Sequence, residues 1–263
     1  MREPLMVAVA QPPCVPHDVA ANARAHAAAI RSPDAAGARV VVFPELSLTG
    51  DELAAAPLDP GDDRLQPIVR ACADTGATAL VGAPVTDDSN NSADNSKRID
   101  NSKNMRKGRD GRVFIAVLAV DGRGVSVAYR KMWLGDEEAE RFTPGPGPRL
   151  ITVGGWRLGL AVCKDTGVPQ HAADTAALGI DAYLAGTVKH DHEAGLQHER
   201  ARRIARQYRV WVAVASFAGA TGGGYGQTAG RSGIWAPDGT LVTGTGPQPG
   251  EVSRAPLSHA PLG

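Results

Sequence analysis

The sequence predicts an α/β layered fold with mixed sheets, built as one domain over residues 1–263. Three observations carry this expectation. Short β-rich runs alternate with Ala- and Arg-rich segments of helical character along much of the chain. Asp121-Gly122 and Asp238-Gly239 are hairpin signals, which add local antiparallel pairing. Hydrophobic residues make up 43% of the chain but aromatics only 5%, so Ala, Val and Leu supply a small-residue core suited to closely packed layers. No shift in composition marks a hinge between two cores.

The first strand candidate is residues 6–10. Its apolar run and Ala8-Val9-Ala10 have the look of a secretory signal, but the run is too short, Glu3 interrupts the basic end and Gln11-Pro12-Pro13 follows at once. Residues 18–30 put Val19, Ala23, Ala27 and Ile30 on one helical face, with Asn22 and Arg24 mostly off it. His26 shares that face and, lacking a second ligand at helical spacing, reads as a partly buried, hydrogen-bonded histidine. A strand at 40–43 precedes a helix at 65–73, in which Leu65, Ile68, Val69 and Cys72 recur at helical spacing and Pro67 is tolerated in the first turn. Further strands are expected at 78–82, 113–120, 125–129, 158–162, 180–185 and 211–215, and a further helix at 193–208.

One stretch breaks the pattern. Residues 87–110 show no hydrophobic periodicity, are rich in Asn, Ser, Asp, Lys and Arg, and repeat DNSK at 94–97 and 100–103. Such a composition cannot build a core, so about 89–110 is expected to be a flexible insertion between two strands. Asn90-Asn91-Ser92 matches a glycosylation sequon, which reads as accidental without a secretory signal.

Lys plus Arg equals Asp plus Glu at 28 each, so no overall field recruits nucleic acid or an anionic membrane, and the expected partner is a small molecule. No apolar run approaches the roughly 20 residues of a membrane helix. Cys14, Cys72 and Cys163 are far apart and odd in number, which argues against a disulfide framework and a zinc site, and favours a cytoplasmic protein.

Three residues stand where strands leave the core. Cys163 follows the strand at 158–162 and precedes the turn-like Lys164-Asp165-Thr166-Gly167, which would present its thiol on an exposed sheet rim. Glu45 follows the strand at 40–43 through Pro44, which restrains the exit. Lys131 follows Tyr129-Arg130 at the end of another strand. Singly, each has a plain reading, as a small buried hydrophobe, a solvated glutamate and a surface lysine. Together they can supply a nucleophile, a base and a cation. Cys14 and Cys72 keep the plain reading of packed small residues.

The order and surroundings of these residues carry a resemblance. Val41-Val42-Phe43-Pro44-Glu45-Leu46-Ser47-Leu48-Thr49-Gly50, then Tyr129-Arg130-Lys131 with Phe142-Thr143-Pro144-Gly145, then Val162-Cys163-Lys164-Asp165, resemble the three signatures of the nitrilase or carbon-nitrogen hydrolase superfamily. It extends to Gln11, Gly37-Ala38-Arg39, the helix at 199–208 and residues 232–239, leaving out the insertion. The resemblance implies an α-β-β-α sandwich that forms a homodimer or higher homo-oligomer, with no metal or organic cofactor. It further implies Glu45 as general base, Lys131 as electrostatic stabiliser, Cys163 as nucleophile and Glu138, four residues before Phe142, as a second glutamate that positions Lys131 or the substrate amine. This sequence departs from the family's usual pattern at Lys164, where an aromatic residue is common, and at Asp51, Trp133, Gln170, Ala173 and Ser216. Lys164 and Trp133 are the candidate substrate-binding residues.

The implied chemistry is hydrolysis of a small amide or N-carbamoyl compound. A thiolate attacks the carbonyl, Lys131 and the Lys164 backbone N–H hold the oxyanion, and a nearby ammonium helps keep the thiol in its reactive form at neutral pH. Nitrile hydrolysis with the same triad is the alternative. A non-catalytic binding or regulatory module on the same fold is another, for which an intact triad has no purpose.

Overall fold

The computed structural model describes residues 2–87 and 111–258. The expected insertion at 89–110, its DNSK repeat and the sequon lie outside the described residues. Apolar runs at Leu5–Ala10 (β1), Val40–Val42 (β2) and Thr78–Thr86 (β3) pair in parallel, β1 with β2 and β2 with β3. Val113–Asp121 (β4) and Gly124–Arg130 (β5) extend this sheet antiparallel, joined at the Asp121-Gly122 turn.

A second sheet takes Leu150–Val153 (β6), Trp156–Val162 (β7), Ala182–Thr187 (β8) and Trp211–Ser216 (β9), with β7, β8 and β9 parallel. Ala218–Gly219 (β10) and Thr228–Ala229 (β11) form a small ribbon. Gly233–Trp235 (β12) and Leu241–Gly244 (β13) complete the second sheet across the Asp238-Gly239 turn. Val252–Leu257 (β14) returns to the first sheet beside β1, and its Pro256 is tolerated because β14 is an edge strand.

Alternation along the strands builds three cores. Val7, Val9, Val40 and Val42 meet Leu158, Leu160 and Leu184 between the sheets. Ala8, Ala10, Ala79 and Ala83 point to the other side of the first sheet, where their small size admits the helices Val19–Arg31 (α1) and Gln66–Thr75 (α2). The short helix Asp136–Ala139 (α3) follows β5. Pro169–Ala177 (α4) and Ala194–Tyr208 (α5) cover the outer face of the second sheet with Ala172, Ala201, Ile204 and Ala205. The result is the expected α-β-β-α layering. No helix among the described residues is long and apolar enough to cross a membrane.

Most expected elements appear within one or two residues of their bounds, though β3 runs on to Thr86. Helices α3 and α4 and strands β6, β10, β11 and β14 were not expected, whereas β12 and β13 form the antiparallel pair that the Asp238-Gly239 hairpin signal implied. Asn22 also departs from expectation. It is buried, not off the apolar face, because its side chain bonds Val15 N, Val15 O and Leu48 O and so ties α1 to the loop after β2. His26 is more buried than expected, between Asn22 O at 2.6 Å and Ser47 Oγ at 2.9 Å.

Candidate active site

Strand exits from both sheets converge on one point. Glu45 leaves β2 through Pro44 in a turn that passes between two strand glycines. A Cβ on Gly82 of β3 would stand 2.2 Å from Leu46 N, and one on Gly186 of β8 would stand 2.6 Å from Phe43 O. The turn therefore lies closer to both sheets than any side chain would allow. Leu46 completes it at φ 47°, a left-handed conformation that costs about 1–3 kcal/mol and persists only where packing imposes it.

Lys131 leaves β5 with its backbone still paired, N to Ile115 O at 2.8 Å and O from Gly145 N at 2.8 Å. A Cβ on Gly145 would stand 2.1 Å from Arg130 O, which accounts for glycine after Pro144. The Lys131 ammonium donates to Glu45 Oε1 at 2.6 Å and to Glu138 Oε1 at 2.5 Å, so one buried cation bridges both glutamates. Glu138 is itself held by Gly135 N, which donates to its Oε2 at 2.6 Å. The other Glu45 oxygen, Oε2, is buried and accepts no hydrogen bond among the described residues.

Cys163 directly follows β7 at φ 41° and opens the short turn Cys163–Gly167. Contrary to the exposed rim expected, it is only 8% exposed, because the loop after β8 closes over it and its thiol donates to Val188 O at 3.4 Å. Its electrostatics also differ from expectation. Burial and the adjacent Glu45 push the thiol up to about 12, outweighing the downward pull of Lys131 and Lys189. At neutral pH Cys163 is therefore a thiol. Burial raises Glu45 as well, against Lys131 and with Glu138, which makes it a stronger proton acceptor. For Lys131, burial favours loss of charge, but Glu45, Cys163 and Glu138 hold it above its ordinary value.

A buried network aligns these exits. Tyr129 OH donates to Asp165 Oδ2 at 2.8 Å, and Asp165 also accepts from Val162 N at 2.9 Å and Trp133 N at 3.0 Å. His171 lies between Tyr129 OH and Tyr183 OH, 2.9 Å from each. Burial lowers His171 to about 4, so it is neutral. Since the Tyr129 proton goes to Asp165, His171 Nε2 donates to Tyr129 and Nδ1 accepts from Tyr183. The network joins the Lys131 exit to the Cys163 turn. His171, Tyr183 and Val188 were missed by sequence reasoning, and no local signal marks them. Gly82 and Gly186, isolated within strand patterns, did carry one.

An open cleft of about 780 Å³ lies next to these residues, lined by Glu138, which holds Lys131, and Lys164, which follows Cys163, together with Asp51, Glu52 and Tyr225. The Lys164 ammonium is tied to Leu134 O at 2.6 Å. Trp133 is 40% exposed and lies outside the cleft lining. Gln170 bonds Asp174 within α4 at 2.7 Å.

A mixed two-sheet α/β sandwich with Glu, Lys and Cys gathered at its strand exits defines a class of hydrolase scaffold, and comparison with known proteins specifies which. The carbon-nitrogen hydrolase family model matches residues 6–260, and the chain belongs to that family. A Pseudomonas protegens protein described as "Hydrolase in pqqF 5'region" is 29% identical over 253 residues, covering 90% of this chain and 78% of the relative. Among solved structures, a mutant of the Nesterenkonia AN1 amidase from the nitrilase superfamily superposes with TM-score 0.78 at 22% identity, covering 98% of this chain and 92% of that one. Saccharomyces cerevisiae Nit3, of the same superfamily, gives 0.77 at 20% identity over 97% and 90%.

Proposed function

We propose that this carbon-nitrogen hydrolase is an amidase that cleaves small amides or N-carbamoyl compounds through a thioester on Cys163. The observation that carries the reading is the Lys131 bridge between Glu45 and Glu138, which leaves Glu45 Oε2 buried and, among the described residues, without a hydrogen-bond partner beside a protonated thiol. As Cys163 Sγ bonds to the carbonyl carbon, its proton passes to Glu45, so no free thiolate is required in the resting site. The carbonyl oxygen becomes an oxyanion held by Lys131 and the Lys164 N–H, which opens a helical turn and has no partner within it. The C–N bond then breaks, and Glu45 returns the proton to the leaving nitrogen. Water next attacks the thioester while Glu45 takes its proton; the C–S bond breaks, the acid leaves and the thiol is re-formed. Glu138 keeps Lys131 in place throughout. The similarity of the fold to an amidase supports the same reading, and the enzyme is proposed to work as a homodimer or higher homo-oligomer.

The test is ammonia release across small amides, carbamoyl compounds and nitriles by wild type and Cys163→Ala. Turnover of an amide or carbamoyl compound, lost in Cys163→Ala, with an acyl adduct on the Cys163 peptide by mass spectrometry, is expected. Near wild-type ammonia release from Cys163→Ala sinks the nucleophile assignment, and turnover of nitriles alone sinks the amidase reading.

A further inference from the structure

The cleft lined by Glu138 and Lys164 is unevenly charged. Asp51, Glu52, Asp136, Glu137 and Glu138 line it against the single ammonium of Lys164, which is tied to Leu134 O. Glu138 is engaged with Lys131, and Glu52 lies 3.4 Å from His17 Nε2 and accepts from Gly223 N at 3.3 Å. Asp51 differs from these. It is 7% exposed and faces the cleft, yet among the described residues no donor bonds its carboxylate and no cation forms an ion pair with it.

Its position is nevertheless built. Asp51 N donates to Thr221 O at 2.9 Å, and the loop it grips packs against it so tightly that a Cβ on Gly223 would stand 1.9 Å from Asp51 O and 3.3 Å from Asp51 Oδ2. A carboxylate buried without a counter-ion is costly, and a bound cation offsets that cost. The nearby Lys131 cannot serve, because Glu45 and Glu138 already share it.

We propose that Asp51 is a specificity-determining residue that receives an ammonium or guanidinium at the non-reacting end of the substrate, so that the enzyme prefers positively charged amides or carbamoyl compounds. This rests on the amidase reading above. Burial, Glu45, Glu138 and Glu52 together push the Asp51 carboxyl up to about 8 against the pull of Lys131, so an arriving cation also favours its ionised form.

Two measurements test it. The first is kcat/KM for ω-amino amides of increasing length, each against the uncharged alkyl amide of the same length, for wild type, Asp51→Asn and Asp51→Glu. A charge-assisted hydrogen bond of this kind corresponds to about tenfold or more. Wild type is expected to prefer the cationic amide by at least about tenfold at the best length, mainly through KM; Asp51→Asn should remove most of that ratio and Asp51→Glu restore part of it. A wild-type ratio at or below one, or a ratio unchanged in Asp51→Asn, overturns the proposal. The second is protection of Cys163 from iodoacetamide, which needs no turnover. Butylammonium should slow alkylation of wild type where butanol does not, and an equal effect of the two overturns the proposal. Should Asp51→Asn fail to fold, the wild-type ratio and protection decide alone. Protection without any amide turnover would leave the cation site standing and sink the amidase reading; turnover without charge preference or protection would do the reverse.

Discussion

At the scale of single residues, Glu45, Lys131 and Cys163 form a coupled electrostatic unit. In the proposed mechanism Glu45 accepts the proton that Cys163 does not lose alone, and Lys131 offsets the charge of a second carboxylate nearby. Groups that act on one transition state give non-additive losses. Glu45→Gln and Lys131→Ala should therefore each lower kcat by about 100-fold or more, and the double variant should be little worse than the poorer single. Losses that multiply in the double variant would show independent action. All three residues were legible in the sequence because each stands at a strand exit. The burial of Cys163 was not, since the Val188 loop that covers it comes from a different strand. Tyr129 and Asp165 were visible within the signatures, but their joint hydrogen bond depends on two sheets meeting.

At the scale of elements, the glycines of β3 and β8 position the Glu45 turn. Gly186→Ala should cost about 1–3 kcal/mol in denaturant unfolding and lower activity beyond that loss, since the new Cβ must displace Phe43 O or Glu45 N. Gly195→Ala in α5, where a Cβ meets nothing within 4 Å, is the control and should be neutral or slightly stabilising. A harmless Gly186→Ala would mean that the turn is not held by close approach. Helix α1 makes a separate prediction through His26, which burial lowers to about 4. Its folded value lies below its unfolded one of about 6.5, so the unfolded chain binds more protons between the two and stability falls as pH drops through that window. Between pH 7 and pH 5 wild type should lose about 2 kcal/mol more than His26→Gln in chemical denaturation. Equal losses would show that His26 titrates normally in the folded protein.

At the scale of the whole molecule, the two sheets are held in register by long-range ties such as Gln11. Its Oε1 accepts from Ser232 Oγ and Thr245 Oγ1, and its Nε2 donates to Gly246 O and Gln248 O. The same register makes the 89–110 stretch separable. Thr86 pairs directly with Val113, so β3 and β4 are hairpin partners up to its edges. Deleting 89–110 leaves Asp87-Asp88-Gly111-Arg112, a loop of hairpin length in which the Arg112 to Asp87 ion pair can persist. Because loop closure depends only weakly on length, the deletion variant should melt near wild type and retain activity. Lost activity with a retained fold would assign the stretch to the active site, and a changed mass in light scattering would assign it to an interface.

The chain's own pattern determined the strands and helices that bury a full apolar face, the strand-exit chemistry and the family resemblance, because periodicity and residue type are local properties. Edge strands β6, β13 and β14 are short or half exposed, so their partners define them more than their composition does. Helix α4 likewise offers only Ala172 to the apolar core, beside the buried polar His171 and Thr175, and is recognised by packing. Only the tertiary structure decided that Cys163 rests as a thiol, that His171 is neutral between two tyrosines and that the Asp51 side chain is buried with no partner among the described residues. Each of these depends on which distant groups share its space, and on how much water they exclude.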